Sequence, residues 1–438
     1  MKRTIFCTVL FVCLCFGSLS AQTYNTIRMA YFHVGSGSIP SGFYERAKAN
    51  GFNYILAEFV LEEYSPAWDS GRYYGNANST LRKQLKDEFL AADIYRLKLI
   101  PLFQTSSQYA GHWRNVKNDS IQWQTLPTDI PIPDTTRERV NKTVPTFAPD
   151  PPGVFGFDSS YNQLLKAIYD AFDDARASTP PLSYSNLDYI HFGADEPIFE
   201  LDTNNVYRVF LMAGLCQRDR DWITKNTSYG VNGSARAQNR IIALLGSNIK
   251  RKVEMIRAAG QAKGHMTTAL YYTDMLDPNH FGGSNPFLCT FTNLSNTTSS
   301  NTTNIKTYSL ACSSYIQAVK NQSIAVQWNY DKEYAGKDYD TDSTFRYFKA
   351  NGLKFLHGNA LADEANPING SRFHQLMEQA VVSTNPKFNN YAQGFVSFHW
   401  CSGTNLFNNA KGRYNQRPSY MTMEFLSHIL WHNAALYE

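Results

Sequence analysis

The stretch "GFYERAKANGFNYILAEFV", residues 42–60, contains a helical pattern followed directly by a strand pattern. In its first half the apolar residues return every three or four positions, and its second half is a short apolar run typical of a buried strand. The same alternation continues along the chain. The runs with strand character are "TIRMAYFHV", "FNYILAEFV", "LKLIPLF", "LDYIHFGA", "HMTTALYY", "SIAVQWNY", "LKFLHGNA" and "GFVSFHW".

The number of these runs predicts the fold. Eight strands alternating with helices over about 400 residues match one (β/α)8 TIM barrel, because parallel strands are joined by helical crossovers. An open doubly wound sheet is the alternative, but no Gly-rich phosphate loop follows the first strand. We therefore expect one catalytic barrel domain over residues 22–438. The other helical patterns are "STLRKQLKDEFLAADIYR", "YNQLLKAIYDAFDDARA", "RIIALLGSNIKRKVEMIRAAGQAKG" and "SRFHQLMEQAVV".

Three long polar insertions interrupt this pattern, at 115–158, 202–234 and 278–308. Each of them follows a strand rather than a helix. In a barrel, strand-to-helix loops lie on the face where the strands end, which is where active sites are built. The insertions are therefore expected either to shape a substrate cleft or to be tolerated additions to the surface.

Residues 1–21 have the composition of a secretory signal peptide. Met-Lys-Arg is followed by a short apolar run and by small residues up to Ala21. This is the order of a basic region, a hydrophobic core and a cleavage site. A membrane anchor is the alternative, but the run is shorter than a bilayer requires. We expect a secreted or periplasmic protein that does not act in the membrane.

Charge and cysteine content restrict the partners and cofactors. The net charge is +4 and no Lys/Arg run stands out, which argues against nucleic acid as a partner. There is no His-Glu-x-x-His motif and no Cys/His cluster with ligand spacing, so no metal and no cofactor is predicted. Cys289 and Cys312 flank a polar stretch, and they form either a disulfide or free thiols. The sequence gives no indication of oligomeric state.

An acidic pair stands at the end of the predicted fourth strand. In "YIHFGADEP", residues 189–197, Asp195 and Glu196 follow the apolar run directly. Carboxylates this close repel each other, so one tends to hold a proton near neutral pH, which suits a general acid. The alternative is the first turn of a helix, where acidic residues favour the dipole and Pro197 favours the first position. On these residues alone both interpretations stay open.

The longer string "HFGADE", residues 191–196, resembles the His-x-Gly-Gly/Ala-Asp-Glu signature of the family 20 glycoside hydrolases, the β-N-acetylhexosaminidases. It is most similar to their hexosaminidase D-like branch. Residues 51–64 resemble the second strand of that branch, and residues 326–331 resemble its sixth. "LIPLFQT" followed by Gly-His at 111–112 resembles its third strand, although here five residues separate the two parts. The resemblance extends over residues 26–402.

The resemblance implies a barrel enzyme that removes terminal β-linked N-acetylhexosamine with retention of configuration. In this family the substrate's own 2-acetamido oxygen attacks the anomeric carbon, so no enzyme nucleophile is needed. Glu196 would protonate the leaving oxygen and later activate water, and Asp195 would hold the acetamido nitrogen. The residues expected to bind the carbohydrate substrate or support the acid are Arg28, Glu62, His112, Trp328, Tyr330, Asp331 and Trp400.

The resemblance also implies individual roles. Arg28 matches the family arginine that grips sugar hydroxyls, although His33 stands roughly where the family has a neighbouring acid. Tyr330 would bind the acetamido oxygen. Trp328 and Trp400 would stack on the sugar ring. His112 and Glu62 would keep the pKa of Glu196 high enough for proton donation, and His191 would pack the strand behind the acidic pair.

Two other functions stay open at this stage. A retaining glycosidase with a protein nucleophile, such as Asp331 or Glu364, would act on sugars that lack an acetamido group. A carbohydrate-binding barrel without turnover is the other alternative, and the departures at His33 and after Thr105 are consistent with it.

Overall fold

The computed structural model describes residues 27–34, 37–59, 80–105, 123–125, 143–153, 157–194, 198–203, 206–211, 217–226, 234–273, 315–328, 341–359 and 390–398. Within these ranges the strands are β1 (Ile27–His33), β2 (Tyr54–Glu58), β3 (Lys98–Leu102), β4 (Trp123–Thr125), β5 (Thr143–Pro145), β6 (Tyr189–His191), β7 (Ile198–Thr203), β8 (Val206–Leu211), β9 (Thr268–Tyr272), β10 (Ser323–Gln327), β11 (Phe355–Asn359) and β12 (Ala392–Ser397). The helices are α1 (Ser41–Ala49), α2 (Thr80–Ile94), α3 (Phe157–Arg176), α4 (Gln217–Asn226), α5 (Ser234–Ala262) and α6 (Thr341–Ala350).

Eight of these strands form a closed parallel barrel in the order β1, β2, β3, β6, β9, β10, β11, β12. The barrel closes where β12 pairs with β1, with Gly394 opposite Ile27 and Ser397 opposite Ala30. Seven of the eight predicted apolar runs contain one barrel strand each, and the eighth, which begins at Gly394, overlaps β12. The predicted (β/α)8 fold is therefore confirmed.

The strands are apolar on both faces because both faces are buried. Side chains that point into the barrel pack only against one another, and those that point outward pack against the helices. The inward set is Ile27, Met29, Tyr31, Leu56, Ile100, Leu102, Leu270, Tyr272, Ile324, Val326, Leu356, Val396 and Phe398. This double burial explains why the sequence shows continuous apolar runs rather than a clean two-residue alternation.

Two polar side chains of α2, Glu88 and Arg82, bind partners that are distant in sequence. Glu88 of α2 is almost fully buried, and it accepts hydrogen bonds from the backbone of Ile39 (3.0 Å) and from the hydroxyl group of Tyr44. Arg82 of α2 binds both carboxylate oxygens of Asp174 on α3 at 2.7 and 2.8 Å. These contacts attach the first three helices to one another.

Four of the five predicted helices are confirmed, as α1, α2, α3 and α5. The fifth pattern, residues 371–382, lies outside the described residues, as do the insertion 278–308, the signal segment and the four cysteines that follow it. The structure adds two antiparallel hairpins that were not predicted, β4–β5 and β7–β8. None of the helices in the described ranges has the length and apolar character needed to cross a membrane.

Gly394 has a φ of 146° at the seam of the barrel. A Cβ atom there would overlap the backbone of Ile27. We expect Gly394→Ala to lower the free energy of unfolding by about 3 kcal/mol, because a strained φ and a steric overlap each cost roughly 1–3 kcal/mol. Urea unfolding followed by circular dichroism measures this loss.

Gly264 provides a matched control, since its φ is 77° and a Cβ atom added there would have no other atom within 4 Å. Gly264→Ala should lower the free energy of unfolding by only about 1 kcal/mol, the cost of a left-handed backbone for a residue with a Cβ atom. Equal losses in the two variants would show that close approach at the seam is not required for closure.

Candidate active site

The carboxyl ends of the barrel strands, called the mouth below, carry a ring of polar and aromatic side chains. Side chains alternate along a strand, so the last inward position of each strand points into the mouth. The described residues at these positions are His33, Glu58, Gln104, His191, Tyr272, Trp328 and Phe398. Active sites of barrel enzymes are built on this face.

Glu58 is a buried carboxylate at the end of β2, with 9% of its side chain exposed. The hydroxyl group of Tyr31 donates a hydrogen bond to it, and Nδ1 of His33 lies 3.1 Å from Oε2. Burial alone would raise the pKa of Glu58, but hydrogen bonds and charge from His33, together with hydrogen bonds from Tyr31 and Gln104, lower it overall. Glu58 is therefore ionised at neutral pH.

The sequence interpretation missed Glu58. It assigned the acid of this strand to Glu62, which lies outside the described residues. The available signal was the two-residue period of Tyr54, Leu56 and Glu58, which places all three on the inward face. This two-residue period is hard to recognise in the sequence, because the outward-facing residues of β2 are buried and apolar as well.

His191 lies inside the barrel at the end of β6, fully buried, with its ring centroid 4.3 Å from that of Tyr272. The backbone N–H of Gly193 donates a hydrogen bond to Nδ1 of His191 at 3.0 Å. An accepting Nδ1 requires the neutral tautomer with its proton on Nε2. Burial lowers the pKa of His191 to about 3, so the ring stays neutral. His191 therefore fixes the chain that leaves β6.

Residues 192–194, called the exit turn below, lead directly to Asp195. Gly193 and Ala194 both have positive φ angles, 73° and 78°. A left-handed Ala costs roughly 1–2 kcal/mol, and strain of this kind concentrates at functional sites. A side chain at Gly193 would overlap that of Gln104, so glycine allows Gln104 to pack against the turn. The backbone N–H of Tyr272 donates to the carbonyl of Gly193 at 2.8 Å, which attaches the turn to β9.

Lys252 of α5 supports the exit turn from the helix side of the barrel. It is fully buried, and its Nζ donates to Oγ1 of Thr105 at 2.7 Å. Thr105 in turn donates its hydroxyl to the carbonyl of Phe192 at 2.6 Å. Burial, with a smaller effect from Arg251, lowers the pKa of Lys252 well below its usual value. The amine also lies 4.8 Å from the ring centroid of Phe157.

The structure describes two of the nine predicted site residues. Trp328 directly follows β10, is half-buried and packs against the inward cluster at the mouth. Arg28 is the second residue of β1, between the inward residues Ile27 and Met29, so its side chain belongs to the helix-facing side. It lies five residues before His33, about 16 Å along the strand. The structure therefore does not bring Arg28 together with the mouth residues.

The other seven predicted residues lie outside the described ranges. They are Asp195, Glu196, Glu62, His112, Tyr330, Asp331 and Trp400. Their roles stay predictions. No group of three or more metal-binding side chains occurs among the residues that the structure describes.

No family model and no curated protein sequence matches this chain. Among solved structures, a tandem family 20 module of the pneumococcal exo-β-D-N-acetylglucosaminidase StrH is similar over 93% of this chain and 84% of its own, with 9% identity and a TM-score of 0.46. An endo-β-1,4-glucanase from Xanthomonas axonopodis pv. citri is similar over 91% and 92%, with 12% identity and a TM-score of 0.43. A β-mannanase from the blue mussel Mytilus edulis is similar over 89% and 84%, with 12% identity and a TM-score of 0.39. At these identities the structures assign the chain to no family.

The buried amine of Lys252 predicts a specific pH dependence of stability. Its pKa is lower in the folded protein than in the unfolded chain, so the unfolded chain binds more protons. The stability of the wild type should therefore rise with pH from the lowered pKa up to roughly 10.4, by at most about 1.4 kcal/mol per pH unit. Lys252→Met removes this difference, and its unfolding free energy should rise less between about pH 7 and pH 10.

Lys250 on the same helix is the control, because it is a third exposed and pairs with Glu254 at 2.6 Å. Lys250→Met should keep the pH dependence of the wild type. Parallel curves for the wild type and Lys252→Met would rule out a titrating amine at this position.

Proposed function

We propose that this protein is a secreted or periplasmic retaining glycoside hydrolase that removes terminal β-linked N-acetylhexosamine by substrate-assisted catalysis. The observation that carries this proposal is the exit turn. Its last residue, Ala194, is left-handed and directly precedes Asp195, and the turn is held to β3 and β9 at the mouth. The strained and anchored turn supports a function for the acidic pair at this face.

The proposed chemistry uses two adjacent carboxyl groups in different ways. Glu196 protonates the glycosidic oxygen as the bond to the leaving group breaks, and it later takes a proton from the attacking water. Asp195 accepts a hydrogen bond from the acetamido N–H and turns the acetamido oxygen towards the anomeric carbon. As that oxygen attacks, an oxazolinium ion forms, and the negative charge of Asp195 stabilises it.

The described mouth residues are consistent with a carbohydrate ligand. Trp328 offers a half-buried aromatic surface beside the inward cluster, and an indole can stack on the apolar face of a pyranose. Glu58 and His33 supply hydrogen-bonding groups from β2 and β1, across the barrel from Trp328. The remaining contacts of the proposal are Glu62, His112, Tyr330, Asp331 and Trp400, in the roles that the family resemblance implies.

Two substitutions test the acidic pair. We expect Glu196→Gln to lower kcat by about 10²- to 10⁴-fold with little change in KM, because only proton transfer is removed. Asp195→Asn should lower turnover of acetamido substrates, since the developing positive charge loses its partner. The measurement is hydrolysis of an aryl β-N-acetylglucosaminide, its galactosamine epimer and the plain β-glucoside by purified protein.

Glu254→Gln and Asp87→Asn are matched controls, because these carboxylates are exposed on α5 and α2. Both should keep wild-type kinetics. A thiazoline inhibitor should block the wild type, since it mimics the oxazolinium. Equal activity of wild type and Glu196→Gln would overturn the proposal, and cleavage of the plain glucoside alone would indicate a protein nucleophile instead.

A further inference from the structure

His33 and Glu58 form a carboxylate–imidazole pair at the mouth, on the neighbouring strands β1 and β2. Nδ1 of His33 lies 3.1 Å from Oε2 of Glu58, and the two residues are opposite each other in the strand register. The acidic pair after β6 does not include them. Neither residue belongs to the set of site residues predicted from sequence.

The pairing fixes the orientation of the imidazole. The ionised carboxylate of Glu58 can only accept hydrogen bonds, so Nδ1 of His33 carries the proton and donates it. In an imidazole ring, Nε2 then lies on the edge away from that carboxylate. Nε2 accepts a hydrogen bond when the ring is neutral and donates one when the ring is charged.

Exposure separates the two partners. The side chain of Glu58 is 9% exposed, whereas that of His33 is 34% exposed. Glu58 also receives hydrogen bonds from Tyr31 and Gln104, which hold it in place from β1 and β3. The imidazole is therefore the more accessible member of the pair.

The His33–Glu58 pair is better suited to binding a ligand than to stabilising the fold. His33 is 34% exposed, so water screens its charge and its own contribution to folding is small, while Tyr31 and Gln104 also hydrogen-bond the buried carboxylate. An imidazole held by a fixed carboxylate is, however, well oriented to bind a group with both donor and acceptor character. A sugar hydroxyl is such a group, since it can donate to or accept from Nε2.

We propose that His33 is a substrate-binding residue that hydrogen-bonds one hydroxyl group of the terminal sugar, and that Glu58 positions its ring. This inference rests on the proposed function, because it names a contact in the same carbohydrate site. His33 touches the sugar, whereas Glu58 acts only through His33.

A cycle between enzyme and substrate variants tests the contact. The wild type and His33→Ala are assayed on the aryl acetamidosugar that the wild type cleaves best and on its deoxy analogues at C3, C4 and C6. For one analogue the wild type should lose about 10- to 100-fold in kcat/KM, the size of a hydrogen bond to a charged or strongly polar group. His33→Ala should lose a similar factor on the parent substrate and nothing further on that analogue. The contact would be overturned if, at C3, C4 and C6 alike, His33→Ala lowered kcat/KM by the same factor on the deoxy analogue as on the parent substrate.

Variants of Glu58 test the positioning role. Glu58→Gln keeps an acceptor for Nδ1 and should retain part of the coupling between His33 and the hydroxyl group. Glu58→Ala should lose that coupling with a rise in KM that exceeds any fall in kcat. A merely structural carboxylate would lower the stability of both variants and leave the hydroxyl preference unchanged, which would contradict the proposal.

A measurement without turnover separates this inference from the proposed function. The ring nitrogens of His33 are observed by 15N NMR in the wild-type protein during titration with N-acetylglucosamine and with glucose, with the signals assigned from His33→Gln. We expect a sugar-dependent shift at Nε2 of His33. His265 is the internal control, since it also faces a carboxylate, Asp173 at 3.4 Å, but lies before β9 at the other end of the barrel.

The outcomes distinguish the two proposals. A shift at His33 without hydrolysis of any aryl sugar would support the contact and overturn the enzyme. Hydrolysis without a shift, or with equal shifts at His33 and His265, would overturn the contact and leave the enzyme standing. Absence of both would overturn both.

Discussion

The pairing of β12 with β1 closes the barrel, and the arrangement of the polar groups depends on that closure. Once eight parallel strands form a ring, every strand ends on the same side, and every second side chain points into the interior. Residues far apart in sequence, such as His33 and His191, are thereby brought to one mouth. At the seam, the backbone of Gly394 approaches that of Ile27 so closely that a Cβ atom would not fit between them.

Several of the polar groups that closure buries at the mouth contact one another. Glu58 takes hydrogen bonds from Tyr31, His33 and Gln104. Gln104 packs against the glycine of the exit turn, and that glycine donates to His191. The contacts thus run across β1, β2, β3 and β6 without a break. Such a network holds side chains in place before a ligand arrives, which is what a catalytic site requires.

Several energetically unfavourable features lie at this end of the barrel. Ala194 is left-handed, Lys252 is buried under the exit turn, and Glu58 is an ionised group out of water. Each is offset locally, as when Lys252 donates to Thr105. The amino ends of the strands also carry such features: Arg96, just before β3, has a φ of 54°, and Asp188 accepts hydrogen bonds from Lys98 at 2.6 Å and from Tyr54 at 3.0 Å. What distinguishes the mouth is that its strained turn leads directly to the acidic pair.

The sequence by itself determined the eight strands, four of the helices and the position of the acidic pair after β6, because apolar periodicity records which local segments are buried. It did not reveal the hairpins β4–β5 and β7–β8, which lie in or beside the polar insertions that follow β3 and β6. It also assigned Arg28, at the start of β1, to the substrate site and overlooked Glu58. Only the tertiary structure decided these points, since depth along a strand and the partner of a buried carboxylate are set by closure between segments 25 or more residues apart.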